Sequence, residues 1–444
     1  MDILSAPSDF IAPRAARGER FPKWLALRAT AERLSPSGGM FGFAGLVGLC
    51  AFLFVYLFME EMLLALQLWV LQLWALSSLP GGTSVTLSLT LVAGAVAGRH
   101  VVRPMTRRRR APAPADLQRA LAILHQQPNA SAGLVRLGDK QVMFSSAGDA
   151  FIMYGVKGRS QIALFDPVGP KEAWHELVVA FVRHARQNGL RPVFYQVSPQ
   201  FLPLAVEAGL SPLKLGEQAI VDLQSFSLAG GDWLKLRRSI NRAERDGLEF
   251  SYIEPADLPA ILQDLKAVSD SWLSGHQAAE KGFSLGTFCE AYLAQQSLAV
   301  IRDHGRIVAF ASIMTTADQQ DAFIDLMRHI PGTHRGMMDL LFARLMESLK
   351  AKGFETLNMG MAPLAGLPTH AAAPVWNHIG RHVFEHGERY YNFKGLQAFK
   401  AKFDPRWEPR YLAVAGAGLP LGSLLDVTML IGGGLGGLFR RARA

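Results

Sequence analysis

Three groups of residues in this sequence have types and spacings that could do chemistry. The densest is the stretch 389–411, which sets seven aromatic rings among six Lys or Arg side chains in 23 residues. Rings gain by burial and cations resist it, so the combination points to an apolar wall with an anion beside it. At its centre Lys400 stands between Phe399 and Phe403, with Phe393, Lys394 and Lys402 close in sequence. Desolvated by those rings, Lys400 would have a lowered pKa and could move protons. Otherwise it would clamp a phosphate or snorkel along the surface. Asp325 and Arg328, at the end of a predicted strand, form the second group. Their spacing lets both enter one pocket if the strand ends between them; the alternative is an ion pair capping the strand. The third group is Lys235, Arg237, Arg238, Arg242 and Arg245, set on a predicted helix over 232–246. Asp232 suits its N-cap and Gly247 its C-terminal stop. Its charged face fits a polyanion or plain solvent. His378, His382 and His386 recur every four residues but have few supporting ligands beyond Glu385 and Glu388, so no metal is expected.

The elements that must hold these groups follow from periodicity. A helix is predicted over 116–127, with Leu117, Leu121 and Leu124 on one face. Strands follow at 142–144, 151–154, 162–165 and 192–197, with helices at 172–188 and 202–208. A second set has strands at 297–302, 307–315 and 322–327, with a hairpin turn at His304-Gly305, then a helix at 337–352 and a strand at 356–359. The chain therefore reads as α/β, with two successive mixed units, 116–230 and 249–411, joined by the basic helix 231–248. No sequence repeat relates them.

Composition adds a membrane segment. The 444-residue chain is 50% hydrophobic and carries a formal charge of +9. Residues 1–110 hold 12 Lys or Arg against 6 Asp or Glu, so most of the surplus lies there. From Phe41 to Gly98 there is no Lys or Arg, and apolar runs fall at 41–59, 62–79 and 85–98. A run of about 20 residues can cross a bilayer core of roughly 30 Å. Basic residues flank both sides, in segment 1–40 and in the Pro-rich linker 103–115. Positive-inside reasoning thus puts both flanks in the cytoplasm, with two crossings or three within 41–102. This charge reads as membrane topology, not DNA binding. Gln67 and Gln72 weaken the middle run, which suits an outer interface. Cys50 and Cys289 are the only cysteines, so neither a disulfide framework nor a zinc site is expected. The glycine-rich tail, 412–444, reads as an interfacial anchor.

Several short strings occur in the order seen in a known family. They are Phe165-Asp-Pro-Val-Gly169, Leu236-Arg-Arg with Arg242-Ala-Glu-Arg-Asp-Gly247, Ser269-Asp-Ser-Trp-Leu273 and Glu280-Lys-Gly-Phe-Ser-Leu-Gly286. Asp325-Leu-Met-Arg328 with Gly336-Met-Met-Asp339, then Asn358-Met-Gly-Met-Ala-Pro-Leu364, and Tyr391-Asn-Phe-Lys-Gly-Leu396 with Phe399-Lys-Ala-Lys-Phe403 complete the set. From residue 116 onward the chain resembles the synthase domain of the aminoacyl-phosphatidylglycerol synthases, the bacterial multiple peptide resistance factors.

That resemblance implies tandem N-acetyltransferase-like domains around the basic helix. It implies transfer of an aminoacyl group, lysyl or alanyl, from aminoacyl-tRNA to the glycerol hydroxyl of phosphatidylglycerol at the cytoplasmic face of the inner membrane. The product would lower membrane charge and protect against cationic peptides. Ester exchange of this kind needs no cofactor, ATP or metal; it needs positioning, an oxyanion donor and proton movement. By the resemblance, Asp325 would hold the substrate α-ammonium and Arg328 the phosphate or oxyanion, with Lys400 as third catalytic residue. Lys235, Arg237, Arg238, Arg242, Arg245, Lys394 and Lys402 would bind the polyanionic substrates. Family members carry a large multi-span flippase region, whereas only residues 41–102 are hydrophobic here, so a short synthase form is expected. Two alternatives remain in view. One is an aminoacyl-tRNA-dependent transferase acting on a cell-wall precursor. The other is a membrane-tethered acyl-CoA acetyltransferase, although His334-Arg-Gly-Met-Met338 lacks the second glycine of a pyrophosphate loop.

Overall fold

Among the described residues the strand-forming runs assemble into a single mixed sheet of eleven strands. The computed structural model of the chain describes residues 112–275, 280–386, 392–416 and 420–432. Its strands are β1 (Gln141–Phe144), β2 (Phe151–Lys157), β3 (Ser160–Leu164), β4 (Arg191–Val197), β5 (Leu210–Asp222) and β6 (Leu248–Ile253). They continue with β7 (Ser297–Asp303), β8 (Arg306–Thr315), β9 (Asp321–His329), β10 (Thr356–Pro363) and β11 (Arg406–Ala415). Their order across the sheet is β1-β2-β3-β4-β11-β5-β10-β9-β8-β7-β6.

Two crossovers organise the sheet. β3 and β4 run parallel, joined through the helix Trp174–Gln187; β9 and β10 run parallel, joined through the helix Met337–Ala351. All other neighbours are antiparallel. The closing strands are traded across the centre. β5 pairs with β10 of the later half, and β11 returns from the chain's end to lie between β4 and β5. Neither β5 nor β11 is marked by alternation, because Pro212, Lys214, Glu217 and Pro409 interrupt their patterns. The stretch 389–411 passes from helix to strand within its described residues. Its described part is helical over Phe393–Ala401, where the Asn392 side chain accepts from Gly395 N at 2.8 Å. Asp404, at φ 48°, then turns the chain into Pro405 and β11.

The faces of the sheet are covered by different cores. In β7, Ala299 and Ile301 face a core with Ile240, Leu340 and Phe342, whereas Leu298 and Val300 face one with Leu265, Val268 and Phe310. The basic helix forms over Leu234–Arg245 and buries Leu236, Ile240 and Ala243 in the first of these. Trp233, not Asp232, is its N-cap, and no side chain caps it. Gly247, at φ 95°, follows its end as expected. His304 and Gly305 both take positive φ, the requirement of a tight hairpin turn.

Part of the tail read as an interfacial anchor serves the domain itself. The helix Leu421–Ile431 buries Val427 and Leu430, and Asp426 accepts from Ser160 Oγ at 2.7 Å and Arg191 at 2.8 Å. Leu421 and Leu425 remain exposed. Among the described residues no helix is long and apolar enough to cross a membrane, and the apolar runs of 41–102 lie outside them.

Candidate active site

A β-bulge brings Asp325 and Arg328 to one face. In an unbroken strand, residues three apart point to opposite faces, and β9 runs from Asp321 to His329 without ending between them. Its pairing with β8 shifts between Ala311 and Ile313, so Asp325 and Leu326 together oppose Ser312. The Leu326 amide donates to Ser312 Oγ at 3.1 Å, replacing a ladder bond. The cores record the change of parity. Ala322, Ile324 and Met327 pack on one face, whereas Phe323 and Leu326 belong to the clusters on the other. Asp325 and Arg328 follow this second set.

Asp325 accepts from the Tyr292 hydroxyl at 2.7 Å and from the Gly286 amide at 2.8 Å. Burial raises its pKa; the two hydrogen bonds and the charges of Lys140 and Arg328 oppose that rise. Tyr292 is pushed well above the ordinary phenol range, first by burial and then by the Asp325 charge. A Cβ at Gly286 would lie 1.9 Å from Asp325 Oδ2, so any side chain there would displace the carboxylate. The loop bearing Gly286 is fixed from the first half of the chain. The Phe283 amide donates to Asp139 Oδ2 at 2.8 Å, and Asp139 also pairs with the fully buried Lys140 at 2.7 Å. Asp139 and Lys140 escape a reading by sequence because the Gly-Asp-Lys string looks like an exposed turn.

Arg328 is buried, with 6% of its surface exposed. Its guanidinium lies over the Trp272 ring, 4.1 Å from the centroid, and donates to Glu280 at 2.9 Å. Its Nε has no hydrogen-bond partner among the described residues. Burial lowers its pKa, while Glu280 and Asp325 act against that. Glu280 and Gly286 belong to one loop, so a single segment of chain contacts both Arg328 and Asp325.

Lys400 is buried rather than snorkelling. Its Nζ donates to the carbonyls of Gly360 and Met361 at 2.9 and 3.0 Å. Gly360 lies where β10 slips register, and Met361 is the first residue paired with β5 beyond the slip. Desolvation lowers the Lys400 pKa to about 7. The neutral amine keeps two N–H groups for those carbonyls and gains a lone pair, so it can take up a proton without losing either bond. Lys400 and Arg328 do not touch; each ends on its own partners. Phe323 lies close to Lys400. Lys400 Nζ and Phe323 Cε2 come within 3.8 and 3.9 Å of the position a Cβ on Gly360 would take, and Phe323 shares its face with Asp325.

The basic helix lies on the opposite face of the sheet from Asp325. Lys235, Arg238, Arg242 and Arg245 are exposed, whereas Arg237 is half-buried and holds the carbonyls of Leu228 and Gly230. Arg242 also meets Asp246 at 3.4 Å, and Arg245 its own helix at Asn241. Lys402 pairs with Asp339 at 2.8 Å, and Lys394 is exposed. His382 and His386 stack at 4.5 Å, and among the described residues no three His, Cys, Asp or Glu gather as metal ligands.

Residues 121–414 match the model of the C-terminal phosphatidylglycerol lysyltransferase family, and the chain belongs to that family. Its individual relatives are consistent with this. It is 38% identical over 321 residues to the phosphatidylglycerol lysyltransferase of Bacillus subtilis, covering 72% of this chain and 37% of that protein. With the Staphylococcus epidermidis phosphatidylglycerol lysyltransferase it shares 36% identity over 280 residues, 63% of this chain and 33% of the relative. The chain thus spans about a third of the length of these curated relatives. Among solved structures, L-PGS from Bacillus licheniformis matches with a TM-score of 0.63 and 36% identity, over 72% of this chain and 98% of that one. A C-terminal domain from an Agrobacterium fabrum protein assigned as a lysylphosphatidylglycerol synthetase matches with a TM-score of 0.67 and 49% identity, over 73% and 99%.

Proposed function

We propose that this chain transfers an aminoacyl group, lysyl or alanyl, from aminoacyl-tRNA to the glycerol hydroxyl of phosphatidylglycerol at the cytoplasmic face of a bacterial inner membrane. The observation that carries the reading is the β9 bulge, which sets a hydrogen-bonded carboxylate and a guanidinium with a free Nε on one face beneath one loop. Family membership supports the same reaction. The two halves, each with a parallel βαβ crossover, support tandem N-acetyltransferase-like domains around the basic helix. The apolar segment 41–102 would hold the enzyme at the membrane.

In this reading the glycerol oxygen attacks the aminoacyl carbonyl carbon, and the bond from that carbon to the ribose oxygen breaks. Asp325 holds the α-ammonium. Arg328 stabilises the oxyanion through Nε. Neutral Lys400 takes the glycerol proton and returns it to the departing ribose oxygen. The pKa of about 7 suits both steps near neutral pH. Exposed Lys235, Arg238, Arg242 and Arg245, with Lys394, draw the polyanionic substrates in. Replacing phosphatidylglycerol by its aminoacyl ester makes the membrane less negative and so less attractive to cationic peptides. The test is lipid extraction from cells expressing the chain, with mass spectrometry of phosphatidylglycerol derivatives. An aminoacyl derivative dependent on Arg328 supports the reading; none, from folded membrane-bound protein, rejects it.

A further inference from the structure

The loop that contacts both Asp325 and Arg328 is built on a strained turn. Glu280 and Gly286 make those contacts, and Phe283 stands midway between them at φ 65°. The Ser284 amide donates to the Gly282 carbonyl at 2.9 Å, so Phe283 is the central residue of a γ-turn. With positive φ this is the rare, strained form of that turn, and phenylalanine is a poor residue for it. Such a conformation persists only where its surroundings over-determine it.

Two elements supply the restraint. One is Asp139, which accepts from the Phe283 amide at 2.8 Å. The other is the helix Leu421–Ile431, which follows residue 414, where the family match ends. Its last carbonyl, that of Ile431, accepts from the Gly282 amide at 3.0 Å. Beside that bond, Leu430 and the buried Phe283 ring meet over Gly155 of β2. A Cβ on Gly155 would come within 3.0 Å of Leu430 Cδ2 and 3.2 Å of Phe283 Cε2, so both side chains use the space that glycine leaves. The helix itself is fixed to the sheet. Asp426, one turn before Leu430, is buried and accepts from Ser160 Oγ, from Arg191 and from the Arg159 amide at 3.3 Å. A buried carboxylate held by three donors, one of them charged, seats the helix on the β2–β3 turn.

We propose that the helix Leu421–Ile431 is the post on which the active-site loop closes, and that Leu430, Asp426 and Gly155 are positioning residues for aminoacyl transfer. The effect on transfer rests on the transferase reading; the closure of the loop rests on the geometry alone. Asp426 holds the helix, the helix holds Gly282 and Phe283, and the loop then sets Gly286 on Asp325 and Glu280 on Arg328. With the helix loosened, the Asp139 bond is left to hold the turn against its strain. The loop would lift and take the Gly286 amide from Asp325 and the Glu280 carboxylate from Arg328 together. Leu430, Asp426 and Gly155 act through the loop, because their own contacts are with the sheet and the turn.

The test compares the full chain with Leu430→Ala, Leu430→Met and Gly155→Ala, by hydrogen exchange with mass spectrometry and by kinetics across pH in phosphatidylglycerol vesicles. Leu430→Ala removes the contact from the helix side, and Gly155→Ala pushes on it from the sheet. In both, the amides of segment 280–286 should exchange about tenfold faster or more, since local opening follows local packing, while β7 and β8 keep their protection. The kcat/KM for transfer should fall about tenfold, the worth of one good hydrogen bond. Its acid limb should move to higher pH, because Asp325 loses the Gly286 amide while Tyr292, Lys140 and Arg328 stay around it. Leu430→Met, which refills the space, should restore both readings. Unchanged loop exchange in folded Leu430→Ala and Gly155→Ala would overturn the proposal. Faster exchange throughout the sheet would also overturn it, by making the helix a support for the fold at large, as would a loosened loop with an unmoved acid limb. If the unmodified protein transfers nothing to lipid, the transferase reading fails, and loop exchange alone decides whether the helix seats Gly286 on Asp325.

Discussion

Tyr292 donates to Asp325 across 2.7 Å, and this bond joins a tyrosine to a carboxylate 33 residues further along the chain. Tyr292→Phe removes one of the two hydrogen bonds that stabilise the ionised carboxylate, while burial keeps acting against it. The Asp325 pKa therefore rises further. The acid limb of the kcat/KM profile should move to higher pH, and activity at neutral pH should fall about tenfold. Stability should fall by about 1–3 kcal/mol, the cost of leaving a buried partner unmade. An unmoved acid limb would remove Asp325 from the ionisation that controls activity.

Arg328→Lys should lose most activity and keep the fold. Lysine cannot stack on Trp272, reach Glu280 and still present a further N–H in the plane of a guanidinium. Loss of an oxyanion donor costs about 2.7–4 kcal/mol in the barrier, roughly a hundredfold or more in rate. Steady-state kinetics alongside circular dichroism would check both halves of this statement.

Lys400 gives a prediction in pH. Its folded pKa of about 7 lies below the ordinary lysine value, so between about pH 7 and 10.5 the unfolded chain binds the extra proton. The penalty for burying its charge is full below pH 7 and disappears as pH rises through that window. Relative to Lys400→Met, the unmodified protein should gain stability from pH 7 to 10, by a few kcal/mol at most. Lys400→Met should also abolish activity, and Lys400→Arg should not restore it, because arginine holds its proton. Rescue by arginine would make the residue a phosphate clamp instead.

The exposed cations of the basic helix should separate from the buried one. Reversing Arg238 and Arg242 to Glu should weaken tRNA binding and flatten its salt dependence, by roughly 0.7–0.9 in logarithmic slope for each phosphate no longer neutralised. Arg237→Ala should instead lower thermal stability, because it leaves the carbonyls of Leu228 and Gly230 without their donor. Unchanged affinity and slope in the charge-reversed protein would leave the helix as a solvated face.

Much of the local structure was legible in the sequence. The strands at 151–154 and 307–315 and the helix at 337–352 follow from apolar periodicity, and the His304-Gly305 turn from its residue types. The exchange of β5 and β11 was not, because central strands bearing Lys214 and Pro409 look like loops until their partners are known. Asp325 and Arg328 could be picked out, but the reason they share a face could not. The bulge depends on Ser312 across the ladder, and no local pattern marks it. Lys400 announced itself through its flanking rings, whereas its partners are backbone carbonyls 39 and 40 residues away, which carry no residue signal. Long-range hydrogen bonds to the main chain are where single-sequence reasoning ends.

If Asp325 and Arg328, on one face of β9, carry aminoacyl transfer to a lipid hydroxyl, the reaction can be watched in one turnover. The most direct measurement is a single-turnover assay with the full chain in phosphatidylglycerol vesicles and radiolabelled aminoacyl-tRNA, comparing the unmodified protein with Asp325→Asn and Arg328→Lys. Label should move into the lipid phase as an aminoacyl ester of phosphatidylglycerol, about a hundredfold or more slower in Arg328→Lys, roughly the worth of an oxyanion donor, and slower also in Asp325→Asn, which loses the charge that holds the α-ammonium. Equal rates in folded variants, or label that stays on tRNA with the unmodified protein, would contradict this assignment.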